Sequence, residues 1–370
     1  MKTAAIQFFR RNTVLCIAAF LALVTCFFVP PDREYLGYLD LKTLTCLFLT
    51  LAVICALRNI RFFSIIAHRI VLLTGNLRML TLALVYITFI GSMLIANDMA
   101  LITFLPLGFF ALSATKNQKY MAYVFILQNI SANLGGMLTP FGNPQNLYLY
   151  SCFNIPTGEF VSIMLRPFLL AIAMLTAACF LLKPEPLALE DSVGYTLEVR
   201  RAALYLALFA YSILIVFRVV PYWTGLVLIP AVLFIADRSA IAAVDWALLG
   251  TFTFFFIFSG NMSRIPAVST LLQGLLAKST LLVSELSCQV ISNVPTAILL
   301  SRFTDNYRQL LLGVNIGGTG TLISSLASLI TFNHYRTMVP GRTKQYLLLF
   351  TAMNLVFLAV QTLAAWFFFI

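Results

Sequence analysis

The stretch that decides the fold reads "NLGGMLTPFGNPQNLYLY", Asn133 to Tyr150. Apolar runs flank it at 120–127 and 167–182, yet it holds Gly135, Gly136, Gly142, Pro140, Pro144, Asn133, Asn143, Asn146 and Gln145. Helix breakers and amides are costly in apolar surroundings unless the backbone they free meets protein or a ligand.

The surroundings are apolar throughout the chain. Of 370 residues, 61% are hydrophobic and 10% charged, with a mean hydropathy of +0.95. A soluble chain is about half apolar and a quarter charged, so this one needs lipid as its solvent. Runs at 13–30, 42–57, 167–182, 202–219 and 345–370 approach the roughly 20 residues that cross a bilayer. The first run follows Lys2, Arg10 and Arg11 and is read as an uncleaved span, because no small-residue cleavage pattern follows Val29-Pro30-Pro31. The net charge of +11 is assigned to basic cytoplasmic loops and not to nucleic-acid binding. The seven cysteines form no CxxC pair and read as buried free thiols. His68 and His334 stand near arginines at span ends, without metal-ligand spacing.

Charges mark the boundaries. Segment 58–76, with Arg58, Arg61, His68 and Arg69 among bulky apolars, reads as a basic amphipathic helix at the membrane surface. The apolar run 79–114 is broken by "ANDMA", Ala96 to Ala100, and both its ends are basic. An Asn97-Asp98 turn is too abrupt for an exposed loop, so a re-entrant hairpin with a buried tip is expected. The helix from 120 breaks in the opening stretch and is expected to resume at Leu147. Spans follow at 160–182, 202–219, 222–236 and 245–260, with a polar linker at 183–201. Most basic residues fall inside if the N-terminus is cytoplasmic, which implies nine full crossings and two hairpins.

The second half repeats these breaks. "SNVPT", Ser292 to Thr296, interrupts 280–301 as "ANDMA" interrupts 79–114. "NIGGTGTLISS", Asn315 to Ser325, aligns with "NLGGMLTPFGN". Thr139 falls opposite Thr321, and Gly142-Asn143 opposite Ser324-Ser325. The order is the same in both: span, amphipathic segment (58–76; 263–278), broken hairpin, broken span, final span. Counting crossings, the hairpins open from opposite faces. The expected fold is therefore an all-α polytopic membrane protein of two inverted repeats, each with a re-entrant helical hairpin and a broken transmembrane helix. Residues 1–41 form a first span and external loop. Repeat one is 42–183 (hairpin 78–115, broken helix 119–153). Residues 184–243 form the linker and connecting spans. Repeat two is 244–370 (hairpin 279–302, broken helix 308–334).

Paired broken helices point to a secondary transporter with a midplane site. A broken helix exposes N–H groups at one new end, which attract anions, and C=O groups at the other, which suit a hard cation. Asn97, Asn133, Asn143, Asn146, Asn293 and Asn315 add neutral donors and acceptors. Gly135, Gly136, Gly142, Gly317, Gly318 and Gly320 allow close approach. These asparagines, the glycines other than Gly320, and Thr139, Ser292 and Thr321 make up the expected site. Asp98 is the sharpest single residue, since an ionisable group at membrane depth is a functional candidate. Sodium is the metal considered, at Asn97, Asp98 and Asn293. Glu285, on the first arm of the second hairpin, is a weaker candidate, expected near the external surface. "GVNIGGTG", 313–320, lacks the lysine of a phosphate loop. Without a nucleophile–base pair, a carboxylate pair or metal ligands, an enzyme is not expected.

"NDMALITFLPL", "TPFGNPQNLYLY", "SNVPTAILLSRF" and "GVNIGGTGTLISSLASLI" together resemble the ion transporter superfamily, most closely its citrate-transporter-like and arsenite-permease-like anion permeases. The resemblance runs from about residue 40 to the end. It implies two inverted repeats, a ligand between hairpin tips and helix breaks, elevator-type alternating access and a homodimer. Dicarboxylate carriers of that superfamily show Ser-Asn-Thr at both tips; here they read Ala96-Asn97-Asp98 and Ser292-Asn293-Val294. The departure resembles the arsenite-permease, citrate–metal and sodium/proton antiporter branches. The expected function is secondary transport of a small anion, a carboxylate such as citrate, with proton or sodium as coupling ion and no cofactor. The alternatives are a sodium/proton antiporter and arsenite or antimonite efflux. The expected location is a bacterial plasma membrane.

Overall fold

A computed structural model describes residues 12–187 and 196–369. Lys2, Arg10, Arg11, the centre of the linker and Ile370 lie outside the described residues. In chain order the helices are α1 (Thr13–Phe28), α2 (Tyr35–Tyr38), α3 (Leu41–Asn59), α4 (Phe62–Leu72), α5 (Leu77–Ile95), α6 (Asn97–Ala114), α7 (Met121–Gly135), α8 (Pro144–Cys152) and α9 (Thr157–Phe180). They continue as α10 (Val199–Val216), α11 (Tyr222–Ala236), α12 (Arg238–Ala242), α13 (Trp246–Ser263), α14 (Pro266–Lys278), α15 (Thr280–Ile291), α16 (Asn293–Leu300), α17 (Tyr307–Ile316), α18 (Leu326–Met338) and α19 (Thr343–Ala364). The protein is an all-α polytopic membrane protein.

Local sequence sets the helix starts. A short polar side chain at the N-cap accepts a backbone N–H that has no partner inside the helix. Asp40 accepts from Thr43 N at 2.9 Å, and Asn76 from Met79 N at 2.9 Å. Asp245 accepts from Leu248 N, Ser279 from Leu282 N and Ser325 from Ser328 N in the same way. The broken helix of the first half resumes at Pro144, three residues earlier than expected. Proline suits the first helical position, where its missing N–H costs nothing and its φ is already helical.

Among the described residues seven helices are long and apolar enough to cross a membrane, including both arms of the first hairpin. α1 and α11, also expected to cross, have 16 and 15 residues. At about 1.5 Å per residue they are shorter than the roughly 30 Å hydrocarbon core. The outward faces are apolar: Phe27, Val227 and Ile235 are 87%, 70% and 87% exposed, as lipid-facing side chains are. The expected surface helix is α4, with Ile65, Ala67, His68 and Val71 turned inward.

Within each half, the first hairpin arm lies against the first part of the broken helix, α5 on α7 and α15 on α17. Across the halves the packing is exchanged: the second arm α6 meets α18, and the second arm α16 meets α8. The start of the linker is tied to the base of the first hairpin. Leu77 N donates to Glu185 O at 2.9 Å, Leu187 N to Gly75 O at 3.1 Å, and Arg78 Nε to Leu182 O at 2.9 Å.

Candidate functional site

Each hairpin turns on one residue. Ala96 has φ 64° and ψ 150°; Ser292 has φ 74° and ψ 160°. Non-glycine residues seldom adopt this region, and they keep it where the surrounding structure imposes it. An asparagine follows each turn and starts the second arm. Asn97 Oδ1 accepts from Asp98 N at 3.0 Å, and Asn293 Oδ1 from Val294 N at 2.9 Å. Both asparagines are buried, at 4% and 3% exposed. The turn angles and the bond from the next N–H to the asparagine Oδ1 are the same at the two tips although their sequences differ.

The breaks match as well. α7 ends at Gly135 and α17 at Ile316, and their C-caps, Gly136 and Gly317, are both αR. The N-caps of the resumed helices, Asn143 and Ser325, are both extended. A Cβ on Gly135 would meet Phe89 O and lie 2.6 Å from Ser92 Oγ; one on Gly317 would lie 2.9 Å from Glu285 Cα and 3.0 Å from Cys288 Cβ. Phe89 and Ser92 stand seven and four residues before Ala96, as Glu285 and Cys288 do before Ser292. Each glycine therefore lets the broken helix touch the same point of its own hairpin. Thr139 Oγ1 donates to Met93 O at 2.8 Å and Thr321 Oγ1 to Gln289 O at 3.0 Å, each carbonyl three residues before a tip.

This equivalence has a test. Thr139→Val and Thr321→Val keep the shape, remove one donor and leave one helix carbonyl short of a partner. Each change is expected to lower stability by about 1–2 kcal/mol. Equal falls in melting temperature of the purified protein are expected. A fall in one variant alone would show that the two hairpins are held differently.

The amides form a buried chain. Asn97 Nδ2 donates to Asn133 Oδ1 at 3.2 Å. Asn143 Nδ2 donates to Asn133 O at 3.2 Å and to Asn315 Oδ1 at 3.3 Å. Asn315 Nδ2 donates to Asn146 Oδ1 at 2.6 Å, and Asn146 Nδ2 to Gly136 O and Met137 O, both at 3.3 Å. Gly142 fits beneath, where a Cβ would lie 2.6 Å from Thr139 Oγ1. One hairpin tip and both breaks are thus joined through five asparagines. The second tip gathers Ser292, Asn293 and Gly318: Asn293 N donates to Ser324 O at 2.9 Å, and Ser324 Oγ to Gly318 O at 2.9 Å. A bond from Asn129 Nδ2 to Ser328 Oγ, 3.3 Å, connects α7 to α18. No hydrogen bond joins Asn293 to Asn97 or Asp98, the other two residues considered for sodium.

Some polar atoms in the chain retain unused capacity. Asn133 Nδ2, Asn143 Oδ1 and Asp98 Oδ1 are buried without a hydrogen-bond partner. The site therefore offers both a donor and acceptors, two of them on neutral amides. Asp98 opens with Ala96, Phe141 and Pro144 into a small cleft, faced by Thr50, Leu51 and Ile54 of α3 and by Asp245. These α3 residues lie along the middle of that helix, so the first tip sits beside its centre.

Sequence reasoning missed three residues here. Asp245 brings a second carboxylate to the cleft; in sequence it is only a helix cap. Arg58, at the end of α3, reaches Met99 Sδ with Nη1 at 3.5 Å, although no basic residue lies near Met99 in sequence. Gln289 holds the second break: its Oε1 accepts from Thr321 N at 2.8 Å, and its Nε2 donates to Gly317 O at 2.9 Å and Thr319 O at 3.3 Å. A glutamine in an apolar hairpin arm, three residues before the tip, was the available signal.

A family model described as citrate transporter matches residues 4–307. A protein of Methanocaldococcus jannaschii, named as an uncharacterized transporter, is 31% identical over 299 residues, covering 80% of this chain and 82% of that one. The inner membrane protein YbiR of Escherichia coli is 29% identical over 290 residues, covering 73% of each.

Proposed function

We propose that this chain, which belongs to the citrate transporter family, is a secondary active carrier of a small anion, a carboxylate such as citrate, coupled to protons or sodium. The observation that carries the reading is the asparagine chain at two broken helices, with Asn133 Nδ2, Asn143 Oδ1 and Asp98 Oδ1 left unpartnered. Neutral amides and helix N-termini at Asn97, Asn143, Asn293 and Ser325 attract an anion without a buried counter-charge. Free carbonyl and carboxylate oxygens suit the driving cation. Gly135, Gly136, Gly317 and Gly318 let the backbone close around the pair. In this reading the hairpins are re-entrant, the halves inverted, and hairpins and broken helices move together as an elevator in a homodimer. The N-terminus is cytoplasmic.

A second reading is a sodium/proton antiporter with no organic substrate. One observation favours it: Asp98 and Asp245 line the same cleft, which gives a cation two acids.

Proteoliposome uptake separates the two. Labelled citrate, succinate, arsenite and sodium are offered in turn under imposed proton or sodium gradients. Citrate accumulation driven by one of the gradients is the expected result. Sodium/proton exchange that proceeds equally without citrate would replace the first reading with the second, and uptake of arsenite alone would replace both.

A further inference from the structure

The Glu285 carboxyl takes no part in the site described above. Glu285 is 5% exposed, on the arm of the second hairpin that touches Gly317. Its one side-chain partner among the described residues is Thr362 of α19, whose Oγ1 lies 2.9 Å from Glu285 Oε2. Glu285 Oε1 is buried without a partner.

Thr362 has one hydroxyl hydrogen and two oxygens within its reach. Its Oγ1 also lies 2.8 Å from Leu358 O, one helical turn back. A hydroxyl carries a single hydrogen, and a carbonyl only accepts. Threonines in helices commonly give that hydrogen to the carbonyl four residues earlier. If Thr362 does so, the contact with Glu285 needs a hydrogen from the carboxyl. A neutral acid supplies it from Oε2 and leaves Oε1 as an unpartnered carbonyl, far less costly to bury than half of a bare carboxylate.

Among the described residues no cation is placed to hold the charged form. On α15 itself Cys288 is the other titratable group, one turn on. α14 brings Lys278 at its end, and α16 brings none. α17 brings Tyr307 and Arg308, both bonded to Glu159. α19 carries Lys344 and Tyr346 at the end remote from Thr362. None of them makes a hydrogen bond or ion pair with the Glu285 carboxyl.

We propose that Glu285 is a proton-binding site: a neutral carboxyl that donates from Oε2 to Thr362 and is sealed between the second hairpin and α19. Its proton exchanges with water only when α15 parts from α19. Gln289, one turn on, donates from Nε2 to Glu285 O at 3.0 Å as well as to the carbonyls of the second break. Movement of that arm therefore moves the proton site and the break together.

Infrared spectroscopy of the purified full chain at neutral pH tests the proposal without any substrate, so it stands or fails apart from the transport reading. A protonated carboxyl C=O band is expected that shifts in D2O, disappears in Glu285→Gln and moves in Thr362→Val. The Thr362→Val spectrum decides the matter if Glu285→Gln does not fold. Loss of ionised carboxylate bands alone in Glu285→Gln would overturn the proposal, as would a carboxyl band unmoved in Thr362→Val.

Discussion

Asn143→Asp is expected to destabilise the protein more than Asn143→Ala and to abolish transport. The Asn143 side chain is fully buried, and its Nδ2 faces two oxygens, Asn133 O at 3.2 Å and Asn315 Oδ1 at 3.3 Å. Alanine removes the donor and leaves those two acceptors short of a partner, at about 1–3 kcal/mol for each. Aspartate keeps the shape but turns an oxygen toward both acceptors and brings a charge with no cation beside it. An uncompensated buried charge costs about 3–5 kcal/mol. The order Asp worse than Ala is the opposite of what side-chain size predicts. Thermal unfolding of the purified variants measures it. Asn143→Asp melting at or above Asn143→Ala would show that Nδ2 does not bridge the two breaks. Because Asn315 belongs to the second half of the chain, the same variants should loosen both halves. Increased labelling of a cysteine introduced at Leu322, in the second break, would report this.

The break residues were legible because they violate their surroundings. Glycine, proline and asparagine amid valine, leucine and phenylalanine leave no other local reading, and pairing Thr139 with Thr321 followed from counting within the two stretches. The structure places those two threonines on equivalent carbonyls. The tips were legible as positions but not as conformations: Ala96 and Ser292 hold backbone angles that their residue types do not advertise. Only the surrounding tertiary structure imposes such angles. Residues that reach the site from ordinary helices were not legible. Asp245 and Gln289 were not singled out in the sequence, and Arg58 reads as part of a basic surface helix. Their neighbours are distant in sequence: 41 residues separate Arg58 from Met99, and 28 separate Gln289 from Gly317. The resumption at Pro144 and not Leu147 is a boundary error of the ordinary kind, since proline was read as the breaker when it is the first residue of the new helix.

Asp98→Asn is expected to remove gradient-driven accumulation while leaving substrate exchange across the membrane. The side chain lies at the first tip, with Oδ1 buried and unpartnered, in a cleft that Asp245 also lines. Asparagine is the same size and retains an oxygen, so the fold and the amide chain through Asn97 should stand. What it removes is an ionisable carboxyl in a largely apolar cleft, where a coupling cation has Asp98, Asp245 and Thr50 to bind. A cation drives a carrier only through its different affinity for the two conformations. Reversing a 1:99 population takes about 5.5 kcal/mol of such difference. Loss of one of two carboxylates removes enough of it that the accumulation ratio should fall roughly tenfold or more, at about 1.4 kcal/mol per decade. Counterflow, which needs the anion alone, should persist. Asp245→Asn retains an N-cap oxygen for Leu248 N, so it tests charge without uncapping α13. If the two acids hold one cation, the double variant should be no worse than either single variant, because the interaction is already lost. Full accumulation by Asp98→Asn would remove this residue from coupling, and additive losses in the double variant would separate the two acids into independent sites.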